Sequence, residues 1–328
     1  MKRFTRVIIA MVAIVLAVAC TTKKTLPVKT TVGDAYQVMI FCPDEVWQGE
    51  LSLAVCDALE RDAEGLTRPQ GYFDIVAQKA PEVATDIDKK YGNILTISIL
   101  PGGEECEVTV ARNLYARPQT VVSLVAPSVE AATEFVNSEA ATLCDYFEAA
   151  ERARSINYSR VRQADQLVED FANRVGYAML IPAGFTKATT ADPSLLWYLR
   201  DYPTKAQYIF AYDYEYTDEL DLTAEWLMMS LDNKLSTISS RGAVGSYMGV
   251  NQSDPYYART VTINGREWVE LRGHWEVTND FMGGPFVSYS TLNAEQNEIT
   301  TIMFAIYAPE EPQRNLLREI EHMIYSIE

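Results

Sequence analysis

The hydrophobic pattern of residues 33–150 predicts a β-sheet with two helices. Residues 36–42 form a short apolar run that is typical of a strand, and Pro43 ends it. The apolar residues that follow recur at the spacing of one helix face: Leu51, Val55, Ala58 and Leu59. Ser128 can cap a second helix. Four further strands are predicted, at about 72–77, 93–100, 106–111 and 119–125. This β-α-β-β-β-β-α unit should carry its helices on one face of a single sheet.

A long helix is predicted from Ile156 to Val175, and Gly176 can end it. We interpret residues 151–175 as a connection between two domains, because 328 residues exceed the roughly 150 of an average domain. Basic residues cluster near its start: Arg152, Arg154, Arg160 and Arg162. They could bind an anion or a lipid headgroup. We favour the alternative of a solvated helix face with the i,i+4 pairs Glu148–Arg152 and Asp170–Arg174.

The pattern of residues 176–328 predicts a second domain. Its predicted elements are strands near 195–200 and 206–216, a helix at 222–238, strands at 256–263 and 267–277, and strands at 286–292 and 299–307. Asn264-Gly265 is a strong signal for a two-residue hairpin, since both turn positions need positive φ. The chain ends in an amphipathic helix whose apolar residues are Leu316, Ile320, Met323, Ile324 and Ile327.

The predicted fold class is therefore α+β, with two domains that are each a mainly antiparallel sheet backed by helices. The element order of the second domain resembles the Mog1/PsbP type of α-β sandwich. This likeness concerns architecture, and architecture does not determine function.

The first 32 residues predict a signal peptide and a lipid anchor. Three basic residues precede an apolar run of thirteen residues, Val7–Ala19, which is too short to span a bilayer but typical of a secretory signal. The small residues before Cys20 resemble a bacterial lipobox, in which the cysteine is acylated and becomes the new N-terminus. We expect residues 1–19 to be removed and residues 20–32 to form a lipidated tether. The alternative is an ordinary secretory signal in which Cys20 has no role.

The predicted anchor gives an expected location. A lipidated protein of this kind belongs to the cell envelope, and its membrane partner is bound through the acyl chains on Cys20. No acidic cluster follows Cys20. In bacteria with similar lipoproteins such clusters direct export to the cell surface, so we expect the periplasmic face of the outer membrane.

Composition and motifs exclude several function classes. A formal net charge of −17 argues against a nucleic-acid partner, because such proteins neutralise phosphates with lysine and arginine. Only two histidines are present, His274 and His322, which leaves little room for a histidine-rich metal site or a Ser-His base. The chain has no nucleophile elbow, no H-E-x-x-H and no phosphate-binding glycine loop. We expect no metal and no cofactor.

Four cysteines lie in the first predicted domain: Cys42, Cys56, Cys106 and Cys144. Their wide spacing argues against a zinc knuckle or a thioredoxin-like motif. We interpret them as buried free thiols. A disulfide in an envelope compartment remains the alternative, and the sequence does not select a pairing.

Three stretches carry a family resemblance. They are Asn113-Leu-Tyr-Ala-Arg-Pro-Gln119, Gly245-Ser-Tyr-Met248 and the long segment from Glu270 to Val287. With the lipobox and the element order, they resemble the Bacteroidetes envelope lipoprotein family called domain of unknown function 4837, over nearly all of the mature chain. The resemblance implies no catalytic residue, because the family has no assigned activity. A leucine is common in the family where this chain has His274, which argues against a histidine-based mechanism.

The segment around Arg272 is the candidate binding site. Alternation along a strand puts Trp268, Glu270, Arg272, His274 and Glu276 on one face and apolar residues on the other. A tight loop follows, whose glycines allow close backbone approach. The candidate binding residues are Glu270, Arg272, His274, Glu276, Asp280, Met282, Gly283 and Gly284. If Arg272 grips an anion, Arg272→Ala should abolish binding with little change in melting temperature. A solvent-facing ladder of charges is the simpler alternative.

Two other patterns favour structure over function. Tyr208, Phe210, Tyr212, Tyr214 and Tyr216 alternate on one strand face, and we interpret them as half-buried core rather than as a sugar-binding stripe. The acidic residues in and beyond this strand lack the spacing of an EF-hand calcium loop and are interpreted as a solvated segment.

The sequence therefore predicts a lipid-anchored envelope protein that binds an envelope protein or a small ligand without catalysing a reaction. One alternative is a carboxylate-based hydrolase of an envelope polymer, which requires Glu270, Glu276 or Asp280 to converge in a cleft. Another is a structural spacer without a pocket.

Overall fold

The computed structural model describes residues 29–239 and 244–328. The predicted signal peptide and Cys20 lie outside the described residues. Within the described ranges, no helix has both the length and the apolar character that a membrane crossing requires.

The N-terminal domain contains seven described strands and three helices. Its strands are β1 (Lys29–Thr30), β2 (Gln37–Phe41), β3 (Asp74–Lys79), β4 (Asn93–Ile99), β5 (Glu107–Arg112), β6 (Ala116–Arg117) and β7 (Thr120–Ala126). Its helices are α1 (Gly49–Leu59), α2 (Val129–Ser138) and α3 (Ala140–Arg160), with 3-10 turns at Pro81–Val83 and Asp88–Lys90. The Ser128 hydroxyl accepts a hydrogen bond from the backbone N–H of Ala131, so the predicted cap is confirmed.

The five-stranded sheet of this domain has the order β3-β2-β4-β7-β5, and all neighbours are parallel except β5 and β7. The prediction of a mainly antiparallel sheet was wrong here. Helix α1 carries the chain from β2 to the parallel strand β3, and such pairs need a crossover. Strand β7 lies between β4 and β5, so the turn at Pro101–Gly103 does not close a hairpin.

The helices cover one face of this sheet, as predicted. Val38 and Ile40 of β2 point toward that face and pack in one apolar cluster with residues of all three helices, among them Val55 and Phe147. The other face carries a smaller cluster that includes Met39 and Phe41.

The described end of the predicted tether is attached to this domain. Strand β1 pairs in parallel with β6, and the N–H of Val32 donates to the carbonyl oxygen of Lys90 (3.0 Å). Residues 29–32 therefore pack against the domain.

The predicted helix 156–175 is two helices, α3 and α4 (Asp165–Val175), so this prediction was wrong. The backbone between them bonds to a distant segment instead of continuing the helix. The N–H of Ala164 donates to Ile181 (2.9 Å), and the N–H of Ala183 donates to Arg162 (2.7 Å). Gly176 ends α4 at a φ of 81°, as expected.

The C-terminal domain is an antiparallel sheet between helices. Its elements are β8 (Thr186–Lys187), β9 (Leu196–Asp201), β10 (Ala206–Glu215), α5 (Ala224–Leu235), β11 (Met248–Val250), β12 (Tyr257–Ile263), β13 (Arg266–Val277), β14 (Gly283–Asn293), β15 (Glu298–Tyr307) and α6 (Arg314–Glu321), with 3-10 turns at Glu219–Leu222 and His322–Ser326. The strand order is β11-β13-β14-β15-β10-β9-β8, and β12 also pairs with β13. Asn264 and Gly265 have φ values of 50° and 80°, which confirms the predicted hairpin turn.

Each face of this sheet has its own core. One cluster joins Phe171 of α4 and Ile320 of α6 to Trp268 of β13. The other joins Leu231 of α5 to Trp275 of β13 and contains Tyr208, Phe210 and Tyr212. The aromatic stripe of β10 is thus core at these three positions, as predicted.

The four cysteines of the described residues are free thiols. Cys42 and Cys144 are buried, and Cys56 and Cys106 are half-buried. Burial raises the pKa of the Cys42 thiol to about 12. Within the described residues, no histidines, cysteines or carboxylates cluster in a way that could hold a metal ion.

The two domains meet along α6. The Arg314 guanidinium donates to Asp74 of β3 (2.6 Å), and the Asn315 amide donates to the carbonyl oxygen of Ala35 (3.2 Å). The Ser155 hydroxyl of α3 donates to the carbonyl oxygen of Glu319 (3.3 Å). This polar interface borders a cavity between the domains.

Candidate functional site

A cavity of about 410 Å³ lies between the two domains and is lined by six arginines. We call it the arginine cavity. Its arginines are Arg61, Arg152, Arg259, Arg272, Arg314 and Arg318, and its carboxylates are Glu64, Asp145, Glu148, Glu270 and Glu321. In a chain with a net charge of −17, this is a local excess of positive side chains.

Helix geometry explains how α3 and α6 contribute to the arginine cavity. Asp145, Glu148 and Arg152 are three and four residues apart, so they lie on one face of α3. Arg314, Arg318 and Glu321 are four and three residues apart, so they lie on one face of α6. The two helices therefore present charged side chains to the cavity from opposite domains.

Arg272 lies in the wall of the cavity and is held by two buried carboxylates. Its Nε donates to Glu270 (2.7 Å), and both terminal nitrogens donate to Glu321. The Tyr289 hydroxyl also donates to Glu321 (2.8 Å). Burial alone would raise the pKa of the Glu321 carboxyl, but the charge and hydrogen bonds of Arg272 hold this pKa below its usual range. All three nitrogens of the Arg272 guanidinium thus already donate to carboxylates of the protein.

Arg318 forms the centre of a second group at the domain interface. Its guanidinium carbon lies 4.4 Å from the ring centre of Tyr36 and 4.1 Å from that of Tyr72. Its Nη1 lies 3.4 Å from Glu148, which also contacts His322 (3.1 Å). Burial would raise the pKa of Glu148, but the hydrogen bond with His322 and the charge of Arg318 lower it well below its usual range.

These lowered pKa values predict a loss of stability in acid. Glu148 and Glu321 are favoured as carboxylates in the folded protein, so their contribution is complete above the unfolded pKa of about 4.3. The contribution is lost as the pH falls below that value toward the folded pKa. We expect the urea midpoint to fall between pH 7 and pH 3.5, and Glu148→Gln to reduce this pH dependence. An unchanged pH dependence in Glu148→Gln would contradict the assignment.

Two arginines of the cavity have no carboxylate at ion-pair distance within the described ranges: Arg61 and Arg152. The guanidinium carbon of Arg152 lies 3.5 Å from the ring centre of Tyr325, and its buried Nε has no hydrogen-bond partner there. Arg61 lies over the ring of Tyr72 at 4.3 Å. Both can donate to a ligand without breaking an ion pair of the protein.

The expected i,i+4 pairs are not formed, because tertiary partners replace them. Asp170 pairs with Lys187 (2.8 Å), and Arg174 pairs with Asp213 (2.8 Å). Glu148 bonds to His322 and Arg318 of the C-terminal domain, and Arg152 is not at ion-pair distance from it, although its charge helps to lower the pKa of Glu148. The prediction of a solvated basic face was therefore wrong for Arg152.

The prediction of a solvated basic face was also wrong for Arg154. It pairs with the buried Glu151 (2.8 Å) and donates to the side chain of Asn93 (2.5 Å). Arg160 and Arg162 are exposed, as predicted.

The predicted site residues fall into two cavities. Glu270 and Arg272 line the arginine cavity. A second, more open cavity of about 420 Å³ is lined by the other six predicted residues: His274, Glu276, Asp280, Met282, Gly283 and Gly284. A strand rises about 3.3 Å per residue, so residues on one face soon reach different surroundings. Glu270 therefore does not converge with Glu276 and Asp280.

The second cavity contains a histidine–aspartate pair. His274 Nδ1 lies 2.6 Å from Asp254, and its Nε2 is buried without a partner among the described residues. Gly284 allows the predicted close approach, because a Cβ there would overlap the carbonyl oxygen of Ile306. Close packing of the backbone therefore explains why a glycine is needed at position 284.

Sequence reasoning missed Arg61, Arg259, Arg314 and Arg318. They come from a loop, an edge strand and α6, and no local spacing joins them. Arg152 was noticed within a basic cluster, but only the fold separates it from its neighbours.

Comparisons with known proteins identify two families along the chain. Residues 164–326 match the family described as domain of unknown function DUF4837, which confirms the predicted resemblance for the C-terminal domain. Residues 31–160 match a different family, domain of unknown function DUF8532. The expectation that one family covers nearly the whole mature chain was wrong. Asn113–Gln119 belongs to the second match.

No curated protein matches the chain. Among solved structures, similar chains include a point mutant of the protein Mog1 and the Ran-binding protein Mog1p of Saccharomyces cerevisiae. Each is 10% identical and covers 46% of this chain and 89% of its own, with TM-scores of 0.30 and 0.31.

Proposed function

We propose that this protein is a lipid-anchored binding module of the cell envelope that holds an anionic ligand in the arginine cavity without catalysing a reaction. The proposal rests on the environment of the Arg152 side chain. Its guanidinium lies in a cavity between two domains, is stacked on Tyr325, and has no carboxylate at ion-pair distance within the described residues.

The chemistry of Arg152 favours an anionic ligand. A guanidinium is always charged and offers several donors in a plane, which suits carboxylate and phosphate oxygens. A buried donor without a partner costs about 1–3 kcal/mol, and a ligand oxygen would remove that cost. Stacking on Tyr325 holds the group in place before the ligand arrives.

The arrangement of the carboxylates supports binding rather than hydrolysis. An acid/base pair needs two carboxyl groups that face one substrate. Glu270 contacts Arg272 and Arg259 in one cavity, whereas Glu276 and Asp280 line the other. The cavities also favour a binding module over a spacer.

The envelope location and the anchor rest on the sequence alone. The basic start, the short apolar run and the small residues before Cys20 support acylation at that residue. Such an anchor would hold the two domains beside a membrane, on the periplasmic face of the outer membrane as the sequence predicts.

Thermal unfolding in the presence of anionic compounds tests the cavity. The probes are inorganic phosphate, muropeptides, nucleotides and fatty acids. A compound at 100 times its dissociation constant should stabilise the protein by about 2.7 kcal/mol, which raises the melting temperature by several degrees. We expect Arg152→Ala to lose this shift.

Arg160→Ala is the matched control, because Arg160 is on the same helix but exposed. It should keep the full shift. An equal shift in wild type and Arg152→Ala would contradict binding through Arg152. No shift with any probe would overturn the proposal of a small anionic ligand and favour a protein partner.

A further inference from the structure

The loop between β5 and β7 holds two large apolar side chains in solvent. Leu114 is 55% exposed and Tyr115 is 42% exposed. Isolated apolar side chains are common on protein surfaces. These two differ because the loop that carries them is fixed by hydrogen bonds to the buried side chain of Gln119.

The side chain of Gln119 joins the loop to the neighbouring turn through hydrogen bonds. Its side-chain oxygen accepts from the N–H groups of Tyr115 (2.9 Å) and Ala116 (3.3 Å). Its side-chain nitrogen donates to the carbonyl oxygens of Lys89 and Tyr91, both at 2.8 Å. Gln119 is itself buried. The loop is therefore a rigid support that presents Leu114 and Tyr115 outward.

Unpaired basic residues surround this loop. Lys89 and Lys90 lie in the turn that Gln119 contacts, Arg112 precedes the loop, and Arg117 is within it. None of these four has a carboxylate at ion-pair distance in the described part of the chain. A fifth, Lys29, pairs with Asp86 (2.9 Å). This concentration of basic side chains contrasts with the net charge of −17, although Lys89 and Lys90 also act on Asp86 through their charge.

The predicted tether ends at the same place. Strand β1, the first described segment, pairs with β6 inside the loop, through Lys29 opposite Ala116. Nine residue steps separate Cys20 from Lys29, and a fully extended chain of that length spans about 30 Å. An acylated Cys20 would thus keep the loop within about 30 Å of the bilayer.

We propose that Leu114, Tyr115 and the basic residues Lys89, Lys90, Arg112 and Arg117 form a membrane-facing surface that rests on an anionic phospholipid bilayer. Lysine and arginine side chains near such a surface are attracted by its anionic headgroups. Tyrosine suits the interface, because its ring is apolar and its hydroxyl reaches water. The surface would act as a second membrane signal beside the acyl anchor.

This inference rests on the anchor of the proposed function, so the anchor is tested separately. The full chain is expressed in bacteria with a labelled fatty acid. Wild type should take up the label, and Cys20→Ala should not. Absence of label from wild type would overturn the anchor, and this inference with it. Ligand binding in the arginine cavity would remain to be judged by its own test.

The surface is tested on the lipidated full chain in vesicles. An environment-sensitive fluorescent amino acid replaces Leu114 or, as a control, Leu220 of the other domain, which is 65% exposed. The vesicles contain phosphatidylcholine with or without phosphatidylglycerol, and brominated lipids act as quenchers. We expect several-fold stronger quenching at position 114 than at 220 in the anionic vesicles.

A variant with reversed charges tests the contribution of the basic residues. Lys89→Glu with Lys90→Glu should lower the quenching at position 114 while the protein stays anchored to the vesicles. Equal quenching at 114 and 220, in protein that still floats with the vesicles, would overturn the surface and leave the anchor standing.

Discussion

Replacing Arg272 with alanine should lower the free energy of unfolding by about 3–5 kcal/mol, because it removes the buried cation that bonds to two buried carboxylates. Glu270 and Glu321 are both buried, and Arg272 bonds to each of them. Their attraction raises the pKa of the Arg272 guanidinium well above its ordinary value, although burial opposes this. Urea unfolding at pH 7 measures the loss.

Arg259→Ala is the control for this change. Arg259 also contacts Glu270 (2.9 Å), but its side chain is 55% exposed. Exposed ion pairs contribute about 0–1 kcal/mol, so this variant should stay near wild type. If Arg272→Ala instead kept the wild-type midpoint and lost ligand binding, Arg272 would be the ligand anchor that the sequence predicts.

Secondary structure was the part of this fold that the sequence predicted well. Hydrophobic periodicity reflects which side chains each element buries, so strands such as β10 and β15 were placed within one or two residues. Turn chemistry was equally informative at Asn264-Gly265, because few dipeptides accept two positive φ values.

The pairing of strands could not be predicted in the same way. A central strand such as β4 has apolar residues on both faces whether its neighbours are parallel or antiparallel. The path of the chain through α1 decides the direction, and periodicity does not record it. Periodicity also could not predict the break between α3 and α4. The backbone there forms hydrogen bonds with residues 181–183, which are distant in the sequence, instead of continuing the helix.

The candidate site could be predicted only in part. Alternation along β13 correctly separated Glu270 and Arg272 from apolar Leu271 on the other face. It could not show that α6 brings Glu321 to Arg272, because the two residues lie 49 positions apart. The sequence could not single out Arg152, because it predicts a pair with Glu148. In the structure Glu148 contacts His322 of the C-terminal domain instead.

Arg318→Ala should both destabilise the protein and uncouple its two domains. Arg318 belongs to α6, whereas its contacts Tyr36, Tyr72 and Glu148 belong to the N-terminal domain. Removal leaves the largely buried Glu148 side chain with the Tyr36 hydroxyl (3.2 Å) and His322 (3.1 Å) but without its arginine, and loss of one partner of a buried pair costs about 3–5 kcal/mol. Hydrogen exchange should show the two sheets opening at different urea concentrations, where wild type opens them together.

Arg200→Ala separates coupling from simple destabilisation. Arg200 matches Arg318 in side-chain exposure, since both are 10% exposed, but it pairs with Glu319 (2.7 Å) and lies over Phe185 within the C-terminal domain. This variant should weaken the C-terminal sheet while both domains still open in one transition. If Arg318→Ala also unfolded in one transition, the contacts of Arg318 would stabilise the chain without linking its domains. The arginine cavity would then depend on the remaining α6 contacts, led by the pair of Arg314 with Asp74.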